Sequence, residues 1–158
     1  MPKDILRIDY ETYSDLNLKE VASSRYSRDR STEVLMGAYE FNDSGQIDQW
    51  DGAGGQPVPK IIREALVDPE VEKWAWNASF EIQITNNTMG IESPIEQWKD
   101  SMILAASCSL PMSLGKAGPV IDLDDEHLKD KDGARLMRKF SIRKKSMRKA
   151  NKGPHALV

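Results

Sequence analysis

The chain has 158 residues, enough for one domain with a hydrophobic core, and its 39% apolar and 30% charged residues are typical of a globular protein. The single cysteine, Cys108, excludes an internal disulfide and fits a reducing compartment. No apolar run is long enough to span a membrane, and the charged residues near the start predict no signal peptide. We therefore expect a cytoplasmic protein with no membrane partner.

Hydrophobic periodicity and turn residues predict an alternating order of strands and helices. The first three strands form a meander, and Asp100 or Ser101 caps the third helix. The predicted strands are residues 4–12, 34–43, 46–53 and 71–78, and the predicted helices are residues 59–70, 79–87, 100–110 and 126–140. We expect Trp74, Trp76 and Leu104 to lie in the core. The order predicts an α/β fold whose mixed sheet, antiparallel in its first three strands, is flanked by helices.

The formal charge of −3 hides an uneven distribution along the chain. Residues 1–127 carry 11 basic and 23 acidic side chains, whereas residues 128–158 carry 11 basic and two acidic ones. We therefore divide the chain into a domain over residues 1–140 and a basic tail over residues 141–158, either disordered or truncated. Such a tail could bind a polyanion such as nucleic acid, and the alternative is a solvated chain end.

Two carboxylates stand one residue apart in the stretch "LRIDYET", within the first predicted strand. Successive side chains of a strand point to opposite faces, so Asp9 and Glu11 share one face while Ile8 and Tyr10 share the other. Like charges held this close raise each other's pKa unless a cation lies between them. The stretch therefore favours a metal ion, a basic partner or water at this position.

A third acid follows a later strand in the stretch "WAWNASFE". Here Asn77 ends the predicted strand, and Phe80 and Glu81 open the next helix. The simplest interpretation is structural, because a carboxylate in the first turn of a helix interacts favourably with the dipole and Asn77 could cap the helix. Together with Asp9 and Glu11, however, Glu81 would complete the set of oxygen ligands that hard divalent cations prefer.

These motifs resemble those of the DEDD-type 3′→5′ exonucleases, which have the ribonuclease-H-like fold. "IDYET" is similar to their first motif, Asp-x-Glu-Thr, and "NASFE" is similar to their second. The resemblance is greatest to the proofreading exonuclease region of phage and bacterial family A DNA polymerases. It extends to "LMGAYEF", "DSMILAASCSLPMSL" and "LKDKDGARLMRKFS", and so covers most of the chain.

The resemblance implies a two-metal exonuclease that uses Mg²⁺ or Mn²⁺ and acts on single-stranded DNA or DNA 3′ ends, with a polymerase chain as a further candidate partner. Asp9, Glu11 and Glu81 would be the catalytic and metal-binding residues. Residues implied in nucleic-acid binding are Thr12, Asn77, Phe80, Arg135, Arg138 and Lys139. The basic side chains among them would offset repulsion between the acids and phosphates.

The resemblance also predicts a late motif, in which a tyrosine or histidine precedes an aspartate on a helix. No tyrosine follows Tyr39, and His127 with Asp132 has the spacing of the histidine form. Alternatively, His127 and Asp132 belong to a solvated helix start, and the late motif is missing or supplied by another chain. Two other functions stay open: a catalytically deficient fragment of this fold that binds DNA or a polymerase partner, and an unrelated α/β binding module.

Overall fold

The computed structural model describes residues 4–123, which form a five-stranded mixed sheet and five α-helices. The strands are β1 (Ile5–Tyr13), β2 (Glu33–Phe41), β3 (Asp48–Asp51), β4 (Glu72–Ala75) and β5 (Trp98–Asp100). The helices are α1 (Ser23–Ser27), α2 (Lys60–Val67), α3 (Ala78–Gln83), α4 (Ser101–Ser107) and α5 (Leu114–Val120). A π-helical turn, Ile84–Thr88, continues α3, and a 3₁₀ turn, Ile95–Gln97, precedes β5.

The sheet has the strand order β3-β2-β1-β4-β5. The three early strands pair antiparallel, whereas β4 pairs parallel with both β1 and β5. The turn between β2 and β3 begins with Asn42 and Asp43, which both have positive φ angles, a conformation that these two residue types tolerate better than most. The predicted mixed α/β sheet with an antiparallel meander is therefore confirmed.

The hydrophobic core lies on one face of the central strand β1. Burial alternates along this strand, because every second side chain points toward the core. Full burial of one such apolar side chain contributes roughly 1.5–3 kcal/mol. The buried core side chains include Leu6, Ile8 and Tyr10 of β1, Trp50 of β3, Ile62 and Leu66 of α2, Ile84 after α3, and Trp98 of β5.

The structure differs from the sequence prediction at three short elements and in part of the core. Helices α1 and α5 and strand β5 were not predicted. The prediction that Leu104 belongs to the core is wrong: this side chain is 52% exposed, because α4 buries only Ala105 against the rest of residues 4–123. Trp74 and Trp76 are only partly buried. The predicted helix 126–140 and tail 141–158 lie outside the described residues.

Within residues 4–123, no helix combines the length and the apolar character that a membrane crossing requires.

Candidate active site

Strand β1 brings Asp9 and Glu11 to one face of the sheet, as the sequence predicts. Tyr10 and Thr12 are buried on the core side, whereas Asp9 is exposed and Glu11 partly exposed on the opposite side. Beyond Glu11 the pairing with β2 shifts, which leaves Leu35 as the extra residue of a β-bulge. Such bulges redirect side chains and are frequent beside active sites. The two carboxylates therefore lie at an irregular end of a central strand.

Asn77 forms the junction between β4 and α3. Its backbone is left-handed, with φ 65° and ψ 52°, a conformation that asparagine tolerates better than most residues. Asn77 occupies the N-cap position, but its side chain makes no capping hydrogen bond and the residue is exposed. The helix start is stabilised instead by a carboxylate from a neighbouring strand.

That carboxylate belongs to Asp100, which joins the starts of two helices. Its Oδ1 accepts hydrogen bonds from the backbone N–H groups of Asn77 at 3.1 Å, Met102 at 2.9 Å and Ile103 at 3.4 Å, and its Oδ2 accepts one from Ala78 at 3.0 Å. Its predicted role as the cap of α4 is confirmed. Its bond to α3 was not predicted, because it depends on β4 and β5 being parallel neighbours whose carboxyl ends lie side by side.

Glu81 lies in the first turn of α3, as predicted, and is 3% exposed. Among the described atoms, its Oε2 is buried without a hydrogen-bond partner. Burial raises the pKa of Glu81 from 4.5 to about 8, and electrostatic repulsion by Asp9, Asp100 and Glu11 adds to this rise. In the absence of a cation, Glu81 is therefore mainly protonated at neutral pH.

The repulsion felt by Glu81 shows that acids from β1, α3 and β5 lie near one another. Their oxygen donors, and above all the unpartnered oxygen of Glu81, suit a hard divalent cation such as Mg²⁺ or Mn²⁺. In the described part of the chain, however, no three acidic, histidine or cysteine side chains stand as a ready ligand set. Like charges favour such separation, so the carboxylates would have to turn toward a cation that binds here.

Tyr26 of α1 connects two of the residues implied in nucleic-acid binding. Its hydroxyl is 3.0 Å from Oγ1 of Thr12, and its ring centroid is 6.1 Å from that of Phe80. Thr12 is 7% exposed, while Phe80 is partly buried. Tyr26 was not singled out from the sequence, because the short polar stretch around it gives no periodic signal. It fixes α1 against both β1 and α3.

The remaining predicted site residues lie outside the described residues. These are the basic residues Arg135, Arg138 and Lys139, together with His127 and Asp132 of the candidate late motif. The proposed boundary between the domain and its basic tail also falls there.

Comparison with known proteins places this site in a wider context. No protein-family profile matches the chain. Over 137 residues the chain is 32% identical to a DNA polymerase of Bacillus phage SP02, an alignment that covers 87% of this chain and 21% of the polymerase. The chain thus spans about a fifth of the length of this curated relative.

Solved exonuclease structures share the architecture. Escherichia coli RNase D, an exoribonuclease involved in structured RNA processing, superposes with a TM-score of 0.54 at 22% identity over 83% of this chain and 30% of its own. The chain has the ribonuclease-H-like fold of the DEDD-type exonucleases. Brucella melitensis NrnC with bound Mg²⁺ matches with a TM-score of 0.54 at 14% identity, over 85% of this chain and 65% of its own. The predicted resemblance is thereby confirmed.

Proposed function

We propose that this chain is a metal-dependent 3′→5′ exonuclease domain that acts on DNA ends, as the proofreading domain of a polymerase or as a separate phage-type nuclease. The observation that carries the proposal is the environment of Glu81. A buried carboxyl with an unpartnered oxygen, whose pKa is raised chiefly by burial and further by neighbouring acids, is costly for the fold and suits a cation-binding role. These acids occur in the exonuclease fold.

In this proposal Asp9, Glu11 and Glu81 hold Mg²⁺ or Mn²⁺. A divalent ion in such a site lowers the pKa of bound water and stabilises negative charge on phosphate oxygens. Glu81 would release its proton when the cation binds, because only the carboxylate is a good ligand. Asp100 would act through Glu81, since it anchors the first turn of the helix that carries that side chain.

The choice of DNA over RNA rests on the phage DNA polymerase, to which the chain is 32% identical over 137 residues. RNase D has only the fold in common and is named as an exoribonuclease, so RNA is the substrate to test in parallel. A phosphodiester backbone carries the same charges in both, and the 2′-hydroxyl distinguishes them.

The test is the degradation of single-stranded DNA labelled at its 5′ end, with Mg²⁺ or Mn²⁺ and with EDTA. We expect a ladder of fragments shortened from the 3′ end, and no ladder in EDTA. Asp9→Asn and Glu11→Gln should each lower the rate at least about a hundredfold, because even residues that only support a metal ligand contribute 10–100-fold. Glu92→Gln, which alters an exposed carboxylate away from the three acids, is the matched control.

A second candidate function is a catalytically deficient domain of the same fold that binds DNA or a polymerase chain. The separation of the acids in the described part of the chain favours it, because they do not form a ready ligand set. Salt-sensitive DNA binding without laddering in either metal would support this candidate and contradict the first. RNA degradation without DNA degradation would contradict the choice of substrate.

A further inference from the structure

Helix α1 and the turn after it carry a concentration of positive charge that no role described above uses. Residues 4–123 contain 10 basic and 20 acidic side chains, and three of the basic ones lie within six residues: Arg25, Arg28 and Arg30. All three are exposed. We name these three side chains the arginine patch. A cluster of this kind on an otherwise acidic body is a candidate for binding an anion.

The charge of the arginine patch is not neutralised by ion pairs in the described part of the chain. The ion pairs found among residues 4–123 link Arg7 with Glu40 and Asp43, and Lys60 with Glu64. Asp29 lies between two of the arginines, and its carboxylate accepts hydrogen bonds from the backbone N–H and the hydroxyl of Ser31, at 2.9 and 2.6 Å. These bonds, and to a lesser degree the charge of Arg25, lower the pKa of Asp29, which offsets one of the three positive charges. The patch therefore presents net positive charge to solvent.

Helix α1, which begins the arginine patch, is held against the segments that carry Glu11 and Glu81. Tyr26 directly follows Arg25 in the sequence. Its side chain contacts Thr12, the residue after Glu11, and packs on Phe80, the residue before Glu81. Side-chain hydrogen bonds to α1 reinforce this: Gln83 donates to Ser23 at 2.9 Å, and Asn87 donates to Ser27 at 3.0 Å. These contacts fix the backbone of α1, from which Arg25 projects and after which Arg28 and Arg30 follow, relative to the segments of both acid motifs.

Two of the three arginines of the patch border a depression. Ser24, Arg25, Arg28 and Asp29 line a shallow, open depression beside α1. Such a depression offers guanidinium donors to the oxygens of a phosphate without enclosing a base, and guanidinium groups match the geometry of phosphate well. It would bind a backbone rather than a sequence.

We propose that the arginine patch binds the phosphate backbone of single-stranded nucleic acid and directs it toward the acids at the end of β1. This inference rests on the proposed nuclease function for its direction, but the binding itself does not require catalysis. The patch would offset the repulsion between an acidic body and a polyanion at the place where the two must meet.

The test is fluorescence anisotropy with a labelled single-stranded oligonucleotide and the full chain, in EDTA so that nothing is cleaved, over a series of salt concentrations. We expect Arg25→Gln/Arg28→Gln/Arg30→Gln to weaken binding at least about tenfold at 0.1 M salt. The slope of log affinity against log salt should fall by about 2, at roughly 0.7 for each lost phosphate contact with a single strand. The corresponding triple lysine variant should keep most of the slope, because charge is retained.

The matched control removes the same number of charges elsewhere, as Lys60→Gln/Arg63→Gln/Lys116→Gln, and should keep the slope of the wild-type protein. Equal loss in both triple variants, or no loss in the arginine variant, would overturn the proposal. The proposal would also be overturned if polyglutamate displaced the labelled oligonucleotide as strongly as unlabelled oligonucleotide does, since this would indicate an acidic protein partner. The cleavage assay tests the nuclease proposal separately. If the wild-type protein cleaves nothing but the arginine variant loses binding, the result supports binding by the arginine patch and contradicts the nuclease function.

Discussion

Replacing Glu81 by glutamine should remove most of the pH dependence that this side chain gives to stability. Its pKa rises from 4.5 to about 8 on folding, chiefly because the carboxyl is buried. The protonated form therefore stabilises the fold fully below pH 4.5, and this contribution is lost as the pH rises through about 8. The whole contribution to the free energy of unfolding is about 5 kcal/mol at most, and about 1.4 kcal/mol of it is lost for each pH unit between the unfolded and the folded pKa.

Without metal, the free energy of unfolding of Glu81→Gln minus that of wild type should be about 3 kcal/mol larger at pH 7 than at pH 4. A constant cost of burying the amide shifts the whole curve but leaves its slope unchanged. The measurement is urea unfolding followed by tryptophan fluorescence, in EDTA, at intervals from pH 4 to 9. Glu70→Gln alters an exposed carboxylate and serves as the control. Parallel stability curves for wild type and Glu81→Gln would refute the burial argument.

Three further outcomes are expected. Asp100→Ala should lower the free energy of unfolding in urea titrations by about 2 kcal/mol, because two helix starts lose their hydrogen-bond acceptor, and Asp100→Asn should have a smaller effect. The control is Ser113→Ala, which should cost far less because the Ser113 side chain makes no capping bond at its N-cap position. Gly37→Ala should cost about 1–3 kcal/mol in the same titrations, because the added Cβ would overlap the buried indole of Trp50 on the neighbouring strand, and an unchanged midpoint would contradict this. Mn²⁺ affinity, measured by calorimetry, should rise by up to about tenfold for each pH unit from 6 to 8 as Glu81 loses its proton, and a flat profile would argue against Glu81 as a ligand.

The parts of the fold that could be predicted are those specified by neighbouring residues. Alternating burial in β1 and the turn residues Asn42 and Asp43 are both visible in the sequence, and the strands formed close to the predicted bounds. The cap provided by Asp100 is also local, since it bonds N–H groups two and three residues ahead. The face shared by Asp9 and Glu11 follows from strand geometry alone.

The parts that could not be predicted depend on contacts distant in sequence. Strand β5 has three residues, too few for an alternation pattern, and forms by pairing with β4. Helix α1 is polar and is held by the contacts of Tyr26 rather than by an apolar stripe. Leu104 shows the converse limit: an apolar side chain on a helix was assigned to the core, whereas its exposure depends on what packs against α4. The raised pKa of Glu81 likewise arises only when three segments meet.

The charges around β1 create a physical problem that the proposed function must solve. Four acidic side chains near one another repel a polyanion and also disfavour each other's ionisation, an effect that adds to burial in raising the pKa of Glu81. A divalent cation can relieve the repulsion among the carboxylates by letting them ionise together, but those ligands largely neutralise its charge. Attraction of the nucleic-acid backbone then has to come from fixed positive charge nearby. In our proposal the arginine patch, whose helix is anchored through Tyr26, would supply it.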